Sequence, residues 1–255
     1  MRPPILELRG VSAGYGAIEV LHDVDLVVER GQVVALLGPN GAGKTTTIRV
    51  ASGQVRPTTG FLHVAGRDVT GVSAGALARA GVCTIPEGRG IFANLTVREN
   101  LWMATHGGPS LGEVEECTYA RFPRLAERRT QVAGTMSGGE QQMLALARGL
   151  AVDPVMLLLD ELSMGLAPKI VAELYEQVAA IASEGVSVLV VEQFARTVLG
   201  VADRTILLAN GVVRWSGATA DIGDTALAEV YLGQGRSADP TPETTTSPSP
   251  GGTAP

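Results

Sequence analysis

The chain has 255 residues and a net charge of −6, so its length allows one or two domains and its charge argues against nucleic acid as the main ligand. Hydrophobic residues make up 45% of the chain but aromatic residues only 4%. Ala, Val, Leu and Gly must therefore do most of the packing, as they do in α/β folds with buried parallel strands.

The sequence shows neither a membrane-spanning segment nor a metal-binding cysteine pattern. No apolar stretch approaches the roughly 20 residues that a membrane span needs, and residues 1–4 lack the apolar core of a signal peptide. Cys83 and Cys117 lack metal-ligand spacing, which favours two reduced structural thiols over a disulfide. We expect a soluble protein whose link to a membrane, if it has one, comes through a partner.

The N-terminal part predicts an antiparallel sheet and a buried strand. Residues 6–26 alternate loosely between apolar and polar residues and carry glycines, which is typical of antiparallel strands. Residues 60–66 are predicted to add one more strand to that sheet. Residues 33–37 are apolar throughout and stop at a glycine, which predicts a fully buried strand, and a short helix is expected over residues 45–52.

The rest of the chain predicts an α/β core with an insertion. Residues 82–85 and 155–159 are apolar runs typical of buried strands. Between them, from about residue 88 to 150, charges and helical periodicity predict an inserted helical subdomain. A helix over residues 168–184 and strands that follow it then predict a parallel sheet with helices on its faces. Those last two strand candidates are residues 186–191 and 206–209.

Residues 38–45, Gly-Pro-Asn-Gly-Ala-Gly-Lys-Thr, match the phosphate-binding pattern G-x-x-x-x-G-K-[ST] between a predicted strand and a predicted helix. Glycines let backbone N–H groups turn toward phosphate oxygens, and the helix N-terminus adds a positive dipole. Lys44 supplies a mobile charge to the β- and γ-phosphates, and the Thr45 hydroxyl suits Mg²⁺. A glycine-rich turn that matches by chance is the alternative. The predicted nucleotide-binding residues here are Gly38, Pro39, Asn40, Gly41, Ala42, Gly43, Lys44, Thr45 and Thr46.

Asp160 and Glu161 directly follow the apolar strand predicted over residues 155–159. A carboxylate at the C-terminal edge of a strand beside a phosphate loop suits a Mg²⁺ ligand, and we assign this role to Asp160. Glu161 can polarise the attacking water, and removing such a base typically lowers the rate about 10²–10⁴-fold. A pair of helix-capping acids is the alternative, against which the phosphate loop argues.

Ser137-Gly138-Gly139-Glu140 precedes a helix predicted over residues 141–150. This loop can present a hydroxyl, backbone N–H groups and a helix N-terminus to an anion. Nothing in the chain itself needs a second anion site, because Lys44 already has that role. The alternative is an ordinary helix N-cap by Ser137, which does not by itself explain the residues that follow.

These motifs stand in an order that resembles the ATP-binding subunits of ABC transporters, and the resemblance covers residues from about 5 to 233. Other segments resemble one branch, the ATPase subunits of branched-chain amino-acid importers. They are Ile85-Pro86-Glu87-Gly88-Arg89-Gly90-Ile91-Phe92, Ser137-Gly138-Gly139-Glu140-Gln141-Gln142-Met143-Leu144-Ala145, Gly165-Leu166-Ala167-Pro168, Val191-Glu192-Gln193 and Tyr231-Leu232-Gly233.

The resemblance implies an α/β fold, with a P-loop NTPase (RecA-like) core, an antiparallel β-subdomain and an inserted α-helical subdomain. The nucleotide-binding domain would span residues 1–234. Residues 235–255 are rich in Pro, Thr, Ser and Gly, which predicts a disordered tail, with a docking role for it as the alternative.

The resemblance also implies roles in binding ATP and Mg²⁺. Tyr15 would stack on the adenine, although an aromatic in a first β-ribbon is more often part of the core. Glu87 stands at the Gln-loop position, where it would contact the metal or repel phosphate. Gln193 stands at the switch-histidine position and joins Lys44 and Glu161 as a catalytic residue. Ser137, Gly138, Gly139 and Glu140 would form the signature loop that grips the γ-phosphate of an ATP held by another subunit.

Besides Glu87 and Gln193, three more positions depart from the general ABC pattern. Leu162 replaces the proline that usually follows the catalytic glutamate, Ala167 stands at the position of the D-loop aspartate, and Phe194 replaces a frequent polar residue. None is expected to touch phosphate directly, so activity should survive with an altered rate or coupling.

The implied machine is an ATPase dimer on a permease. Two related ATPase subunits would sandwich two ATP molecules, and a groove near residues 87–101 would pass the closing motion to integral-membrane permease subunits at the cytoplasmic face of the membrane. A separate extracytoplasmic solute-binding protein would deliver substrate, and no nucleic acid is involved. The alternatives are an importer for urea or amides, a non-transport ABC ATPase acting on DNA or ribosomes, and a partner that binds ATP without hydrolysing it.

Overall fold

The computed structural model describes residues 2–105, 108–194 and 198–232. The predicted tail, residues 235–255, lies outside the described residues, so the domain limits 1–234 and 235–255 stay a prediction. The strands are β1 (Leu6–Tyr15), β2 (Ile18–Val28), β3 (Val33–Leu37), β4 (Thr59–Val64), β5 (Arg67–Asp68), β6 (Val82–Ile85), β7 (Met156–Asp160), β8 (Ser187–Glu192), β9 (Arg204–Ala209) and β10 (Val212–Ala218). The α-helices are α1 (Lys44–Ala51), α2 (Ala74–Arg79), α3 (Val97–Met103), α4 (Leu111–Arg121), α5 (Pro123–Glu127), α6 (Gly138–Leu150), α7 (Pro168–Ser183) and α8 (Asp224–Leu232).

The central sheet has six strands in the order β10-β9-β3-β8-β7-β6. All neighbours pair in parallel except β9 and β10, which are antiparallel. Every residue of β3, β7 and β8 is buried, because a parallel sheet has both faces covered and its inner strands become continuous apolar runs. The predicted parallel sheet is confirmed.

A second sheet of four antiparallel strands has the order β2-β1-β4-β5. Its apolar face packs on one side of the central sheet. Val34 and Leu36 of β3 point to the core shared with this sheet, whereas Val33, Ala35 and Leu37 point to a second core on the helical side. Successive side chains of a strand alternate between faces. The strand β3 therefore packs against both cores, up to its last residue, Leu37.

Between β6 and β7 the described residues form helices α3 to α6 and a short 3-10 helix, Ala133–Thr135. No strand of either sheet lies in this described part of the chain. Local sequence starts two of these helices: Thr96 with Glu99, and Ser110 with Glu113, form capping boxes at α3 and α4. Their apolar faces join the core on the helical side of the sheet. The predicted fold class, with its helical insertion, is confirmed.

The sequence reasoning missed α2, β5, β10 and α8. The strand β10 lies at the sheet edge, and its residues are at most half-buried, so it lacks the apolar run that identified β3 and β7. The helix α8 depends on packing against the helical-side core through residues such as Val230, which is a tertiary feature. No helix in the described part of the chain is both long and apolar enough to cross a membrane.

Candidate functional site

Three neighbouring parallel strands end at the same edge of the central sheet. Leu37, the last residue of β3, pairs with Glu192 of β8, and Asp160, the last residue of β7, pairs with Val191. The carboxyl ends of parallel strands are where open α/β sheets bind ligands. The phosphate loop, Glu161 and Gln193 therefore all leave the sheet at one place.

The phosphate loop leads from β3 into α1 without a side-chain cap. Gly43, the N-cap of α1, has φ 104° and makes no side-chain cap hydrogen bond. This backbone conformation favours glycine, and a Cβ there would also approach Leu21 Cδ2 at 2.7 Å. The first N–H groups of α1 consequently have no side-chain acceptor, and such groups form a ready anion site.

Lys44 places a buried cation inside this loop. Its side chain is 5% exposed, and Nζ donates to the carbonyl oxygens of Gly38 at 2.9 Å and Pro39 at 3.1 Å. Glu161 Oε1 lies 4.0 Å from Nζ. Burial lowers the pKa of Lys44, and the neighbouring carboxylates of Glu161 and Asp160 oppose that shift. The cation is held mainly by neutral carbonyls, so phosphate oxygens would be stronger partners.

Asp160 is a buried carboxylate with an unsatisfied oxygen. It is 6% exposed, and its Oδ1 has no hydrogen-bond partner. Burial first, and then the charges of Glu161 and Glu87, raise the pKa of Asp160 to about 6. An unpartnered buried acceptor is costly, and a carboxylate oxygen is a preferred ligand of Mg²⁺. The residue therefore fits the predicted metal role.

Glu161 follows Asp160 in a strained conformation that points it along the sheet edge. Its φ is +49°, a value uncommon for residues other than glycine, and its N–H donates to the Val191 carbonyl at 2.9 Å. Burial raises the pKa of the Glu161 carboxyl, and Lys44 opposes that shift. The alternative of helix-capping acids does not fit, because the next helix, α7, has Ala167 as its N-cap.

Glu87, Gln193 and Thr45 surround this centre. Glu87 is exposed, and its charge raises the pKa of both Asp160 and Glu161. Gln193 is half-buried directly after β8. Thr45 is half-buried in the first turn of α1, whereas Thr46 beside it is 6% exposed. Among the described residues, no group of three or more His, Cys, Asp and Glu side chains is arranged to hold a metal, so a metal here would need the Thr45 hydroxyl and phosphate oxygens as well.

Tyr15 lies at the surface at the end of β1 and is not part of the core. Its side chain is 43% exposed. The hydroxyl accepts from Arg49 Nη1 at 3.0 Å, and the guanidinium carbon lies 5.8 Å from the ring centroid. Since Arg49 belongs to α1, the ring stands beside the helix that follows the phosphate loop and remains open to a stacking partner.

Side chains of the signature loop itself cap the N-terminus of α6. Ser137 is the N-cap of α6: its Oγ accepts from the Glu140 N–H and donates to the Glu140 carboxylate at 2.8 Å. Glu140 Oε1 also lies 2.8 Å from Arg128 Nε. Gly139 is packed so closely that an added Cβ would overlap Ile170 Cγ2. Both the N-cap alternative and the sequence after Ser137 thus have a local structural basis.

The signature loop is not bonded to the phosphate loop in the described residues. Lys44, Asp160 and Glu161 influence one another directly, and Glu87 lies within electrostatic reach of the two carboxylates. Within the described ranges, no hydrogen bond or ion pair joins residues 137–140 to residues 38–46. One chain therefore assembles only one side of the predicted site.

Sequence reasoning missed a buried carboxylate at Glu192. It is 2% exposed and accepts from the Ser163 N–H and Oγ, each at 2.8 Å, and from the Tyr175 hydroxyl at 2.6 Å. These bonds tie β8 to the loop after Glu161 through Ser163 and to α7 through Tyr175. An acidic residue that ends an otherwise apolar strand was the available signal.

A phosphate loop after the central parallel strand β3, with paired carboxylates at the end of β7, one strand beyond its neighbour β8, defines a P-loop nucleoside triphosphatase. Residues 21–163 match the ABC transporter family. The chain is 40% identical over 233 residues to the high-affinity branched-chain amino acid transport ATP-binding protein BraG of Pseudomonas aeruginosa, covering 90% of this chain and 100% of that protein. The chain belongs to the ABC transporter family, and its enzymatic class is the ATPase of that family.

The chain is also similar to an ATPase of an export system and to a solved ABC transporter subunit. The lipopolysaccharide export system ATP-binding protein LptB of Acidithiobacillus ferridurans is 32% identical over 234 residues, covering 90% of this chain and 97% of that protein. A solved structure of an ATP-binding subunit of an ABC transporter is 29% identical with a TM-score of 0.77, covering 91% of this chain and 100% of that one. The resemblance inferred from the motifs, the fold class and the ATPase assignment are confirmed.

Proposed function

We propose that this chain is the ATP-hydrolysing subunit of an ABC importer for branched-chain or other hydrophobic amino acids. The observation that carries the ATPase role is the convergence of Lys44, Asp160 and Glu161, with Nζ 4.0 Å from the Glu161 carboxylate. The substrate class is supported by the 40% identity to BraG over nearly the whole chain.

Binding of ATP would use the phosphate loop and the surface beside it. The uncapped N–H groups of α1 bind phosphate oxygens, and Lys44 Nζ exchanges the carbonyls of Gly38 and Pro39 for the β- and γ-phosphates. Tyr15 stacks on the adenine. Thr45 and Asp160 would hold Mg²⁺, with Glu87 near it, and the ion when bound neutralises phosphate charge.

Glu161 would act as the base for the attacking water, and Gln193 would bind the γ-phosphate beside it. The raised pKa of Glu161 comes from burial and neighbouring carboxylates, which makes this group a stronger base toward the water proton. Gln193 can donate a hydrogen bond to a γ-phosphate oxygen from its side-chain amide. Unlike a histidine, it cannot gain a proton near neutral pH, so the proton remains with Glu161.

Hydrolysis would require a second ATPase subunit. Within the described residues, the signature loop forms no hydrogen bond or ion pair with the phosphate loop of its own chain, and the Ser137 side chain is exposed. In the proposed dimer the start of α6 in one subunit meets the γ-phosphate held by the other. ATP then completes the interface, and its hydrolysis releases the two subunits.

Coupling to the permease is proposed to run through the segment after β6. The Arg89 guanidinium donates to Gln141 Oε1 of α6. Arg148, also in α6, donates to the Gly90 carbonyl, and its guanidinium carbon lies 4.6 Å from the Phe92 ring centroid. A movement of the groove near residues 87–101 therefore reaches the signature helix directly. The permease would hold the chain at the cytoplasmic face of the membrane, and a separate solute-binding protein would deliver the substrate.

The similarity to LptB favours a second candidate, an ATPase that drives lipid export. The same chemistry would serve it, because an ATPase subunit does not touch the transported molecule. Importers of urea or amides and ATPases outside transport remain alternatives, and no feature of the site favours them.

The test is affinity purification of the tagged full-length chain from native membranes, followed by identification of the co-purified proteins. We expect a pair of permeases and a second ABC ATPase, with uptake of labelled leucine lost in cells that carry Glu161→Gln. Permeases of a lipid exporter would replace the amino-acid assignment. Ribosomes or DNA in place of permeases would overturn the transport role.

A further inference from the structure

Tyr231 reaches the predicted nucleotide site from the C-terminal helix α8. It lies near the end of α8, and α8 contacts β9 and the helical-side core. The Tyr231 hydroxyl donates to the backbone carbonyl of Gln193 at 2.8 Å. The backbone of Gly38, the first residue of the phosphate loop, lies close enough to lower the pKa of the Tyr231 hydroxyl.

The environment keeps this hydroxyl protonated and in place. Burial raises the pKa of Tyr231 to about 12, with the nearby Glu192 charge acting in the same direction. The phenol therefore remains a donor at every pH at which the protein would work. The ring packs against the helical-side core, so its body is fixed independently of the hydrogen bonds that its hydroxyl makes.

We propose that Tyr231 is a positioning residue for ATP hydrolysis, which holds the backbone of Gln193 in place beside the phosphate loop. The proposal rests on the proposed function of Gln193 as a γ-phosphate contact. This hydroxyl is bonded to the backbone that carries the Gln193 side chain and lies beside the backbone that begins the phosphate-binding turn. The C-terminal helix thereby becomes part of the hydrolytic machinery without touching the nucleotide.

A bond to the backbone of Gln193 acts on its side chain through the position of the Cα atom. Near-attack geometry is sensitive to shifts of a fraction of an ångström to about 1 Å. Loss of the hydroxyl is expected to affect the chemical step more than ATP affinity, because Lys44 and the α1 N-terminus supply the main phosphate contacts of the ground state.

The first experiment is Tyr231→Phe in the full-length chain, which removes the hydroxyl and keeps the ring. We expect kcat for ATP hydrolysis to fall about three- to tenfold, the effect of losing one hydrogen bond, while KM for ATP changes less than about twofold. Unchanged kcat in Tyr231→Phe would overturn the proposal.

A double-mutant cycle with Gln193→Ala separates positioning from general stabilisation. If Tyr231 acts through the Gln193 side chain, Tyr231→Phe should change kcat by less than about twofold once that side chain is absent. An equal loss of kcat in both backgrounds would show that Tyr231 acts elsewhere and would overturn the proposal. Full activity of Gln193→Ala alone would overturn it as well.

Tyr119→Phe is the matched control, since Tyr119 is another partly buried tyrosine whose hydroxyl donates to Glu115 in α4, within the helical insertion. It should leave kcat unchanged. Glu161→Gln, measured in parallel, decides the proposed ATPase function by itself. A chain that loses activity in Glu161→Gln but not in Tyr231→Phe would refute only the positioning role.

Discussion

The phosphate loop and the signature loop both lead into a helix, but only one of the two helices has a side-chain cap at its N-terminus. Gly43 gives α1 no side-chain cap, whereas Ser137 and Glu140 give α6 a complete capping box. The N-terminus of α1 can therefore bind an anion without displacing a side chain. In α6, the Ser137 hydroxyl is already engaged, so it must turn away from Glu140 to bind phosphate.

Electrostatics separates the two loops in the same way. Burial and mutual repulsion raise the pKa of Asp160 to about 6, which indicates a site that needs added positive charge. Burial would raise the pKa of Glu140, but hydrogen bonds from Ser137 and the charge of Arg128 outweigh it and lower that pKa. The phosphate-loop side thus carries unbalanced negative charge, while the Glu140 carboxylate of the signature loop is paired within the chain.

The largest expected effect comes from Glu161→Gln. It should lower kcat about 10²–10⁴-fold, because the amide cannot take the water proton. ATP should then hold a dimer that is visible by size-exclusion chromatography. Glu176→Gln, an exposed position in α7, is the control that should remain active. A Glu161→Gln protein that stays monomeric with ATP would argue against a site shared between two chains.

Lys44→Ala should weaken ATP binding by about 100-fold or more, since it removes the buried cation that would pair with the phosphates. Titration with a fluorescent ATP analogue measures this directly. Lys169→Ala removes an exposed lysine and should bind as the parent does. Micromolar affinity retained in Lys44→Ala would take this residue out of its proposed role.

Ser137→Ala tests the capped loop against a matched helix start. Both Ser137→Ala and Ser110→Ala remove a capping box, so each should cost about 1 kcal/mol in the free energy of unfolding. Only Ser137→Ala should also lower the ATPase rate, by about tenfold, because only Ser137 is proposed to meet a phosphate. Equal ATPase rates in the two variants would reduce the signature serine to a structural cap.

Asp160→Asn tests how much the buried charge of Asp160 destabilises the folded protein. The pKa of Asp160 is raised above its unfolded value, so the folded state is penalised above about pH 6, and the penalty fades as pH falls toward 4. Without nucleotide and in EDTA, Asp160→Asn should therefore raise the free energy of unfolding at pH 8 by about 1 kcal/mol, with a smaller gain at pH 5. Urea denaturation at the two pH values measures the difference. An equal gain at both would mean that charge is not the cause.

Much of the site was visible in sequence because its requirements are local. The phosphate loop needs glycine and lysine at fixed spacing before a helix, and Asp160 and Glu161 directly follow an apolar strand. Glu192 was not recognised, although it ends a strand that is otherwise apolar. Its partners, Ser163 and Tyr175, are distant in the chain, and no local pattern connects them.

The sequence by itself determined the class of the protein, the buried strands and the helix start at Ser137, because these depend on contacts between residues a few positions apart. Only the tertiary structure decided which of these pieces meet. The strand order β10-β9-β3-β8-β7-β6 brings Asp160 and Glu161 beside Lys44, and the packing of α8 brings Tyr231 to Gln193. Burial at that shared edge then changes the pKa values, and burial is a property of the packed fold that no short stretch of sequence contains.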